Sequence, residues 1–155
     1  MGTHLKAGDP APDFAARTTD GSVVRLADFR GRKLVMYFYP MDSTPGCTKQ
    51  ACSLRDSNAE IAARGAAILG VSAQGEESHQ RFTEKFSLNF PLLADTDLKI
   101  AKDYGVAGSG LGGLLRSVNK AANRVTFIID EKGRISHVLD DPDCADHGAE
   151  VLAAL

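Results

Sequence analysis

The chain has 155 residues, enough for one domain with a proper hydrophobic core, and no second domain is needed. Its 18 lysines and arginines nearly balance its 20 aspartates and glutamates, and no basic block occurs, so nucleic acid is not expected as a partner. The apolar runs are far too short to span a membrane, and the segment MGTHLKAGDPAPDF contains no hydrophobic signal region. We therefore expect a single cytoplasmic domain over residues 1–155 that contacts no membrane.

Strand-like and helix-like segments alternate along most of the chain. Short runs rich in β-branched, aromatic and other apolar residues predict strands, and apolar residues at helical spacing predict helices. After an extended lead-in, strands are predicted over 14–18, 23–26, 34–39, 66–73, 90–93, 124–130 and 134–140, and helices over 47–64, 76–87, 97–104 and 146–155. Strands that alternate with helices and end in a hairpin predict an α/β fold with a mixed central sheet.

Turn-forming residues separate these segments. Asp20 and Gly21 form the turn that predicts an N-terminal β-hairpin, and Gly65 is a typical stop for the first helix. Asp95 or Thr96 is predicted to cap the third helix. The segment Gly105–Gly113 is a glycine-rich loop without a phosphate-binding pattern.

The stretch KLVMYFYPMDSTPGCTKQAC, residues 33–52, carries the strongest chemical signal. Its apolar run ends at Pro40, and Thr44 lies where a helix would be capped, so that Cys47 falls in the first helical turn. Free backbone N–H groups and the helix dipole at that position both favour a thiolate, which is the reactive form of cysteine. The dipole is worth only about 0.3–1 kcal/mol, so stronger activation would need a nearby arginine, whose flat fork can also hold a small polar substrate.

The same residues carry a family resemblance. Pro40, Thr44 and Cys47 form a P-x-x-x-T-x-x-C motif, and the surrounding YFYPMDSTPGCT resembles the bacterioferritin comigratory protein, or Q-type, branch of the peroxiredoxins. The segments PDF, DGS, LADFRGRK and RVTFIIDEKGRI follow in family order, so that the resemblance covers nearly the whole chain. It implies a thioredoxin-like fold.

The resemblance also implies a function in antioxidant defence. In such a peroxidase Cys47 would be the peroxidatic nucleophile that attacks hydrogen peroxide or an organic hydroperoxide. Thr44 would hydrogen-bond the peroxide and the thiolate, Pro40 would shield the cysteine, and Arg124, just before a T-F-x-x-D strand, would complete the site. Cys52, on the same helix, would resolve the sulfenic acid as a disulfide that thioredoxin reduces. No metal or organic cofactor is implied, and we expect a monomer.

Helix geometry constrains the pairing of Cys47 with Cys52. Five residues along an ideal helix separate two Cα atoms by roughly 8.6 Å, whereas a disulfide needs about 4.4–6.8 Å. A bridge therefore requires the first turns to unwind. Thr48, Lys49 and Gln50 lie between the two cysteines and include two long polar side chains, which favours local opening. The alternative is that Cys52 is a small buried apolar residue.

The remaining candidate residues leave several alternatives open. Cys144 lies in the polar segment DDPDCADH, where it is an exposed incidental thiol, an alternative resolving thiol or, with His147, part of a C-x-x-H metal site. No further ligands are evident, so we predict no metal. Of Arg116, Arg124 and Arg134, only Arg124 precedes a hydrophobic strand in the context of the family.

Three other classes of protein are alternatives to a peroxidase. A cysteine hydrolase would need a histidine base at Cys47; of the four scattered histidines, His137 is the least implausible, and the ordinary interpretation of each is a solvated or packed side chain. A thiol–disulfide oxidoreductase normally carries C-x-x-C, whereas this chain has C-x4-C. A binding or chaperone module would retain the fold without turnover.

Overall fold

The computed structural model describes residues 3–107 and 122–155. A central five-stranded sheet has the order β5-β4-β3-β6-β7. Strands β3, β4 and β5 are parallel, while β6 runs antiparallel to both β3 and β7. The bounds of the five strands are Lys33–Phe38 for β3, Ala66–Ser72 for β4, Leu92–Ala94 for β5, Val125–Ile129 for β6 and Ile135–Leu139 for β7.

A separate two-stranded hairpin precedes the sheet. It pairs β1, Ala15–Arg17, with β2, Val23–Arg25, and a 3-10 turn over Leu26–Phe29 follows. In its turn, hydrogen bonds from the hydroxyls of Ser22 and Thr18 to the Asp20 carboxylate lower the pKa of Asp20 to about 2. These bonds explain why the predicted turn closes at Asp20-Gly21.

Within residues 3–107 and 122–155, four helices pack on the sheet. Their bounds are Pro45–Ala63 for α1, Glu76–Phe86 for α2, Lys99–Asp103 for α3 and His147–Ala154 for α4. A 3-10 turn, Cys144–Asp146, leads into α4. Helices α1, α2 and α4 share one apolar core with β3 and β4, and α3 joins the hairpin and the other face of the sheet in a second core. Within the described ranges, no helix is both long and apolar enough to cross a membrane.

This architecture confirms the predicted α/β thioredoxin-like fold with its mixed sheet and N-terminal hairpin. Strand β3 lies at the centre of the sheet and is buried from Leu34 to Phe38, as its continuous apolar run predicts. The side chain of Tyr37 lies against Gly70 of β4, where an added Cβ would be 2.9 Å from the tyrosine ring. Gly70 thus makes room for a large aromatic side chain in the core that α1 covers.

Several predicted boundaries were wrong by a few residues. Helix α1 begins at Pro45 rather than Cys47, because proline is tolerated at the first helical position. Helix α3 begins only at Lys99, since Leu98 has a left-handed backbone with a φ of 60°. Leu98, rather than the predicted Asp95 or Thr96, is the N-cap residue of α3, although the Asp95 carboxylate accepts the N–H groups of Ile100 and Ala101. The predicted strand over 90–93 starts and ends later, and the part of the Gly105–Gly113 loop from 108 onward lies outside the described residues.

Candidate active site

The site forms where the carboxyl end of β3 meets the start of β6. Phe38 of β3 pairs with Val125 of β6, and the two strands are antiparallel. Arg124, which precedes Val125, therefore lies beside the residue that follows Phe38. Arg124 is thereby brought to the loop that follows β3. Its Nη2 atom donates to the Cys47 sulfur at 3.3 Å. The sheet register therefore unites two predicted site residues that are far apart in sequence.

Cys47 is the third residue of α1 and is only 1% exposed. The first turn of the helix leaves backbone N–H groups without an intrahelical partner, and their dipoles point toward this end. With the guanidinium of Arg124, they surround the sulfur with positive electrostatic potential. Such electropositive surroundings are those in which reactive cysteines are found.

Thr44 is the N-cap residue of α1, as predicted, but its side chain does not cap the helix. The Thr44 hydroxyl instead donates to the carbonyl of Met41 at 2.9 Å. The lone pairs of its oxygen remain acceptors at the start of α1. Pro40 is half-buried and lies in the same loop, two residues after the end of β3.

Gln50 is a site residue that the sequence analysis did not identify. It is fully buried, and its Oε1 atom accepts a 2.7 Å hydrogen bond from Nη1 of Arg124. Among the described residues, its Nε2 atom has no hydrogen-bond partner. Arg124 therefore uses one nitrogen on the cysteine sulfur and another on a glutamine one helical turn further on, which fixes the plane of the guanidinium. The sequence signal that could have identified Gln50 is that it is a polar residue three positions after Cys47.

Cys144 lies closer to this site than its polar sequence context indicated. Cys144 is partly rather than fully exposed, and whether its thiol is incidental stays a prediction. A Cβ built on Gly46 would lie 3.8 Å from the Cys144 sulfur and 3.3 Å from Nη2 of Arg124. Gly46 thus permits Arg124 and Cys144 to approach the helix start together.

Cys52 lies further along α1 and is partly exposed. Helix α1 is continuous from Pro45 to Ala63, and Cys47, Cys52 and Cys144 are all free thiols. The continuous helix holds the two cysteines of α1 apart.

The histidines do not supply a base for Cys47. The two ring nitrogens of His147 contact Thr126 and Glu150, so neither is free for a C-x-x-H metal site. Burial lowers the pKa of His147. His137 is exposed on β7, two strands from β3, and contacts Ser136.

Two further candidates are placed elsewhere. His79 is buried, and its ring nitrogens contact Asp42 and the carbonyl of Leu93 rather than the Cys47 sulfur. Arg134 donates to the carbonyl of Gly8, while Arg116 lies outside the described residues.

The loop between β3 and α1 has one unusual backbone conformation. Ser43 has a φ of 64°, in the left-handed region that residues with a Cβ rarely adopt. This conformation costs a non-glycine residue about 1–2 kcal/mol. It directly precedes Thr44, so the position of the Thr44 hydroxyl depends on contacts that hold Ser43 in this state.

Comparison with known proteins agrees with this geometry. The AhpC/TSA family model matches residues 7–138. Peroxiredoxin Bcp of Escherichia coli K12 is 43% identical over 148 residues, which cover 96% of this chain and 94% of the relative. A PrxQ mutant from Xylella fastidiosa has a similar structure, with a TM-score of 0.88, 27% identity and coverage of 98% and 96% of the two chains. The bacterioferritin comigratory protein of Xanthomonas campestris gives a TM-score of 0.85, 30% identity and 96% coverage of both chains. The chain therefore belongs to the AhpC/TSA family and, within it, to the Bcp/Q-type branch of the peroxiredoxins, which are thiol-dependent peroxidases.

Proposed function

We propose that this peroxidase reduces hydrogen peroxide and organic hydroperoxides with Cys47 as the nucleophile and Cys52 as the resolving thiol. The observation that carries the proposal is the 3.3 Å hydrogen bond from Arg124 to a buried sulfur in the first turn of α1. A charged, water-poor site with a thiolate matches the attack of sulfur on a weak O–O bond. The domain spans the whole chain.

In the first step the Cys47 thiolate attacks one peroxide oxygen in line with the O–O bond. The S–O bond forms as the O–O bond breaks, and the leaving oxygen takes a proton to become water or an alcohol. Arg124, the Thr44 hydroxyl and the Cys47 N–H polarise the peroxide and stabilise the charge on the leaving oxygen. Pro40 shields the cysteine. The thiolate carries the electrons, so the scheme requires no metal or organic cofactor.

In the second step the Cys47 sulfenic acid condenses with the Cys52 thiol, releasing water and forming a disulfide. Because an intact helix holds the two residues apart, the first turns of α1 must open. A dithiol protein, which we take to be thioredoxin, then restores both thiols by exchange. The partial exposure of Cys52 supports its access to a partner.

The relatives support the choice of substrate. The structure of the Xanthomonas campestris protein is described in terms of its alkyl peroxide reduction activity. We extend that substrate class to this chain, and we expect it to act as a monomer. We also expect a cytoplasmic location, because three cysteines argue against a structural disulfide framework.

A coupled assay tests the proposal. Purified protein is mixed with thioredoxin, thioredoxin reductase, NADPH and either hydrogen peroxide or cumene hydroperoxide, and NADPH consumption is followed. The proposal predicts many turnovers per protein with both substrates. Consumption of one equivalent followed by arrest would instead indicate another reductant. No peroxide consumption, with thioredoxin-linked disulfide exchange retained, would favour an oxidoreductase, and neither activity would favour a binding module.

A further inference from the structure

A buried ionic cluster lies behind the loop that leads to Cys47, and the scheme above gives it no role. Asp42, in the middle of the loop between β3 and α1, has a side chain that is only 3% exposed. One carboxylate oxygen accepts from the Tyr39 hydroxyl at 2.6 Å, and the other contacts Nδ1 of His79 and the Ser78 hydroxyl, each at 2.7 Å. The cluster thus connects the loop to the first turn of α2.

The hydrogen-bond partners determine which groups in the cluster donate and which accept. Burial alone would raise the pKa of the Asp42 carboxyl, but the hydrogen bond and positive charge of His79 hold that pKa below its usual value. Asp42 is therefore a carboxylate that accepts, and Nδ1 of His79 must donate to it. Nε2 lies 2.9 Å from the carbonyl oxygen of Leu93, which can only accept. Both ring nitrogens of His79 thus face acceptor oxygens, which fixes the ring between the loop and β5.

The pair is tied to rigid parts of the molecule on every side. His79 is fully buried in α2 and fixed by its bond to β5. The backbone N–H of Asp42 donates to Gln74 Oε1 at 2.9 Å, and the Ser72 hydroxyl at the end of β4 donates to that same oxygen. Three elements of the fold therefore converge on a single loop residue.

That residue directly precedes the strained position in the loop. Ser43, with its φ of 64°, stands between the anchored Asp42 and Thr44, the N-cap of α1. A strained backbone persists only where its surroundings hold it in place. Without the anchor, Ser43 could relax to negative φ, which would move the Thr44 hydroxyl relative to the Cys47 sulfur.

We propose that Asp42 and His79 are positioning residues for the peroxide site, which hold the Pro40–Thr44 loop in the strained conformation that places Thr44 for catalysis. The proposal rests on the proposed role of Cys47 and Thr44. Neither side chain touches the substrate. Their effect is on peroxide attack, which needs Thr44 in place, rather than on the general reactivity of the thiol, which depends on Arg124 and the helix start.

The test compares two reactions of Cys47 in Asp42→Asn: reduction of cumene hydroperoxide and alkylation by iodoacetamide, both followed in single turnover. Misplacement of Thr44 should slow peroxide reduction about 10- to 100-fold. Alkylation, which needs no Thr44, should change by less than about threefold. Equal losses in both reactions would overturn the proposal, because they would indicate general damage to the thiol or the fold.

Asp95→Asn is the matched control. Asp95 is also a buried carboxylate with hydrogen bonds, and it follows β5 at the same edge of the sheet, about 10 Å from β3 by strand spacing. It should destabilise the protein while leaving peroxide reduction within about twofold of the wild type. A peroxide defect in Asp95→Asn as large as in Asp42→Asn would contradict a specific positioning role. Failure of the wild type to reduce peroxide would overturn the proposed function instead.

A substitution at position 43 tests whether activity lost in Asp42→Asn can be rescued. A role of Asp42 in stability alone predicts no such rescue. Glycine adopts positive φ without steric cost, so Ser43→Gly combined with Asp42→Asn should recover about fivefold in peroxide reduction, equivalent to about 1 kcal/mol. No recovery would show that the strained backbone is not what the anchor holds. Should Asp42→Asn fail to fold, ¹⁵N spectra of the wild-type His79 ring still test the anchoring bond to Asp42. A protonated Nδ1 at neutral pH supports donation to Asp42, and an unprotonated Nδ1 refutes it.

Discussion

Cys47 and Cys52 lie on one helix, one and a half turns apart, in opposite surroundings. Cys47 is 1% exposed and receives a hydrogen bond from Arg124 at the positive end of α1. Cys52 is partly exposed and lies past the first turn, where the backbone N–H groups are already paired within the helix. The first environment suits the proposed nucleophile, and the second leaves a thiol accessible to a partner.

The difference shows that the two steps of the proposed cycle make opposite demands on the same segment. Peroxide attack requires a rigid first turn, whereas disulfide formation requires that turn to open. Gln50 links the two demands, because it lies between the cysteines and accepts a hydrogen bond from Arg124. Gln50, one of the polar residues expected to favour opening, is fully buried, and the opening itself stays a prediction. Opening α1 breaks a charged hydrogen bond worth about 1.5–3 kcal/mol.

The largest expected effect comes from removing the nucleophile. Cys47→Ser should reduce peroxide consumption to the uncatalysed background, because an alcohol without a base is a far weaker nucleophile at neutral pH. The coupled NADPH assay measures this, with Cys144→Ser as a matched cysteine control that retains turnover. Substantial peroxide reduction by Cys47→Ser would remove the distinction between the two cysteines altogether.

The next effect concerns the charge beside Cys47. Arg124→Ala should slow single-turnover peroxide reduction by about 10²–10³-fold, since it removes a preorganised donor from the leaving oxygen and the thiolate. Arg124→Lys should recover only part of this loss, because an ammonium lacks the planar fork that bonds both the sulfur and Gln50. Arg134→Ala, which removes an arginine bonded to a distant carbonyl, is the control. Full activity in Arg124→Ala would refute the electrostatic account of the first turn.

The comparison also predicts a variant that keeps attack and loses resolution. Cys52→Ser should reduce one equivalent of peroxide at the wild-type rate and then stall as a sulfenic acid, so that thioredoxin-dependent turnover falls. At high peroxide the stalled acid should progress to the irreversible sulfinic form, which intact mass detects as a gain of two oxygens. Undiminished turnover in Cys52→Ser would assign resolution to another thiol.

How much of this site the sequence predicted depends on how far apart the partners lie. Pro40, Thr44 and Cys47 belong to one local motif, and strand, turn and helix start follow from proline, glycine and apolar spacing within it. Arg124 was identified from the family resemblance, and the register of β3 with β6 explains its approach to Cys47. A local sequence pattern was sufficient where the site residues lie close together in the sequence.

The rest of the site depends on packing that a pattern cannot give. The contact between His79 and Asp42 spans 37 positions and depends on where α2 sits over the sheet. The approach of Cys144 to Gly46 depends on the 3-10 turn before α4. Helix boundaries shifted for a local reason: Leu98 adopts a left-handed backbone, and no residue-type rule predicts that for leucine.

Gln50 should show effects of opposite sign on the two steps. Gln50→Leu removes the acceptor of Arg124 but keeps helix propensity and volume. We expect peroxide attack to slow by about tenfold, because Arg124 loses one of its two fixed contacts. Disulfide formation after oxidation should become faster, since opening α1 no longer breaks that bond. Stopped-flow rates for the two phases measure both, and slowing of both phases together would contradict the linkage.

The smallest effect concerns the helix that packs beside Cys52. The backbone N–H of Gly148 in α4 donates to the Ser53 hydroxyl at 2.9 Å, and His147 is buried next to it. Burial lowers the pKa of His147 from its usual 6.5 in the fold, so the unfolded chain takes up a proton first as the pH falls below 6.5. As the pH falls below 6.5, the free energy of unfolding should therefore decrease by up to about 1.4 kcal/mol per pH unit. Urea titrations of the wild type and His147→Gln measure it; an equal pH slope in both would exclude His147 as the cause.

The most direct test of the central claim is to trap the first oxidation product. Cys52→Ser protein is treated with one equivalent of cumene hydroperoxide in the presence of dimedone, which reacts with sulfenic acids, and the peptides are analysed by mass spectrometry. The account predicts one dimedone adduct, on the peptide that contains Cys47, with Cys144 unmodified. An adduct on Cys144, or peroxide consumption without an adduct on Cys47, would contradict it.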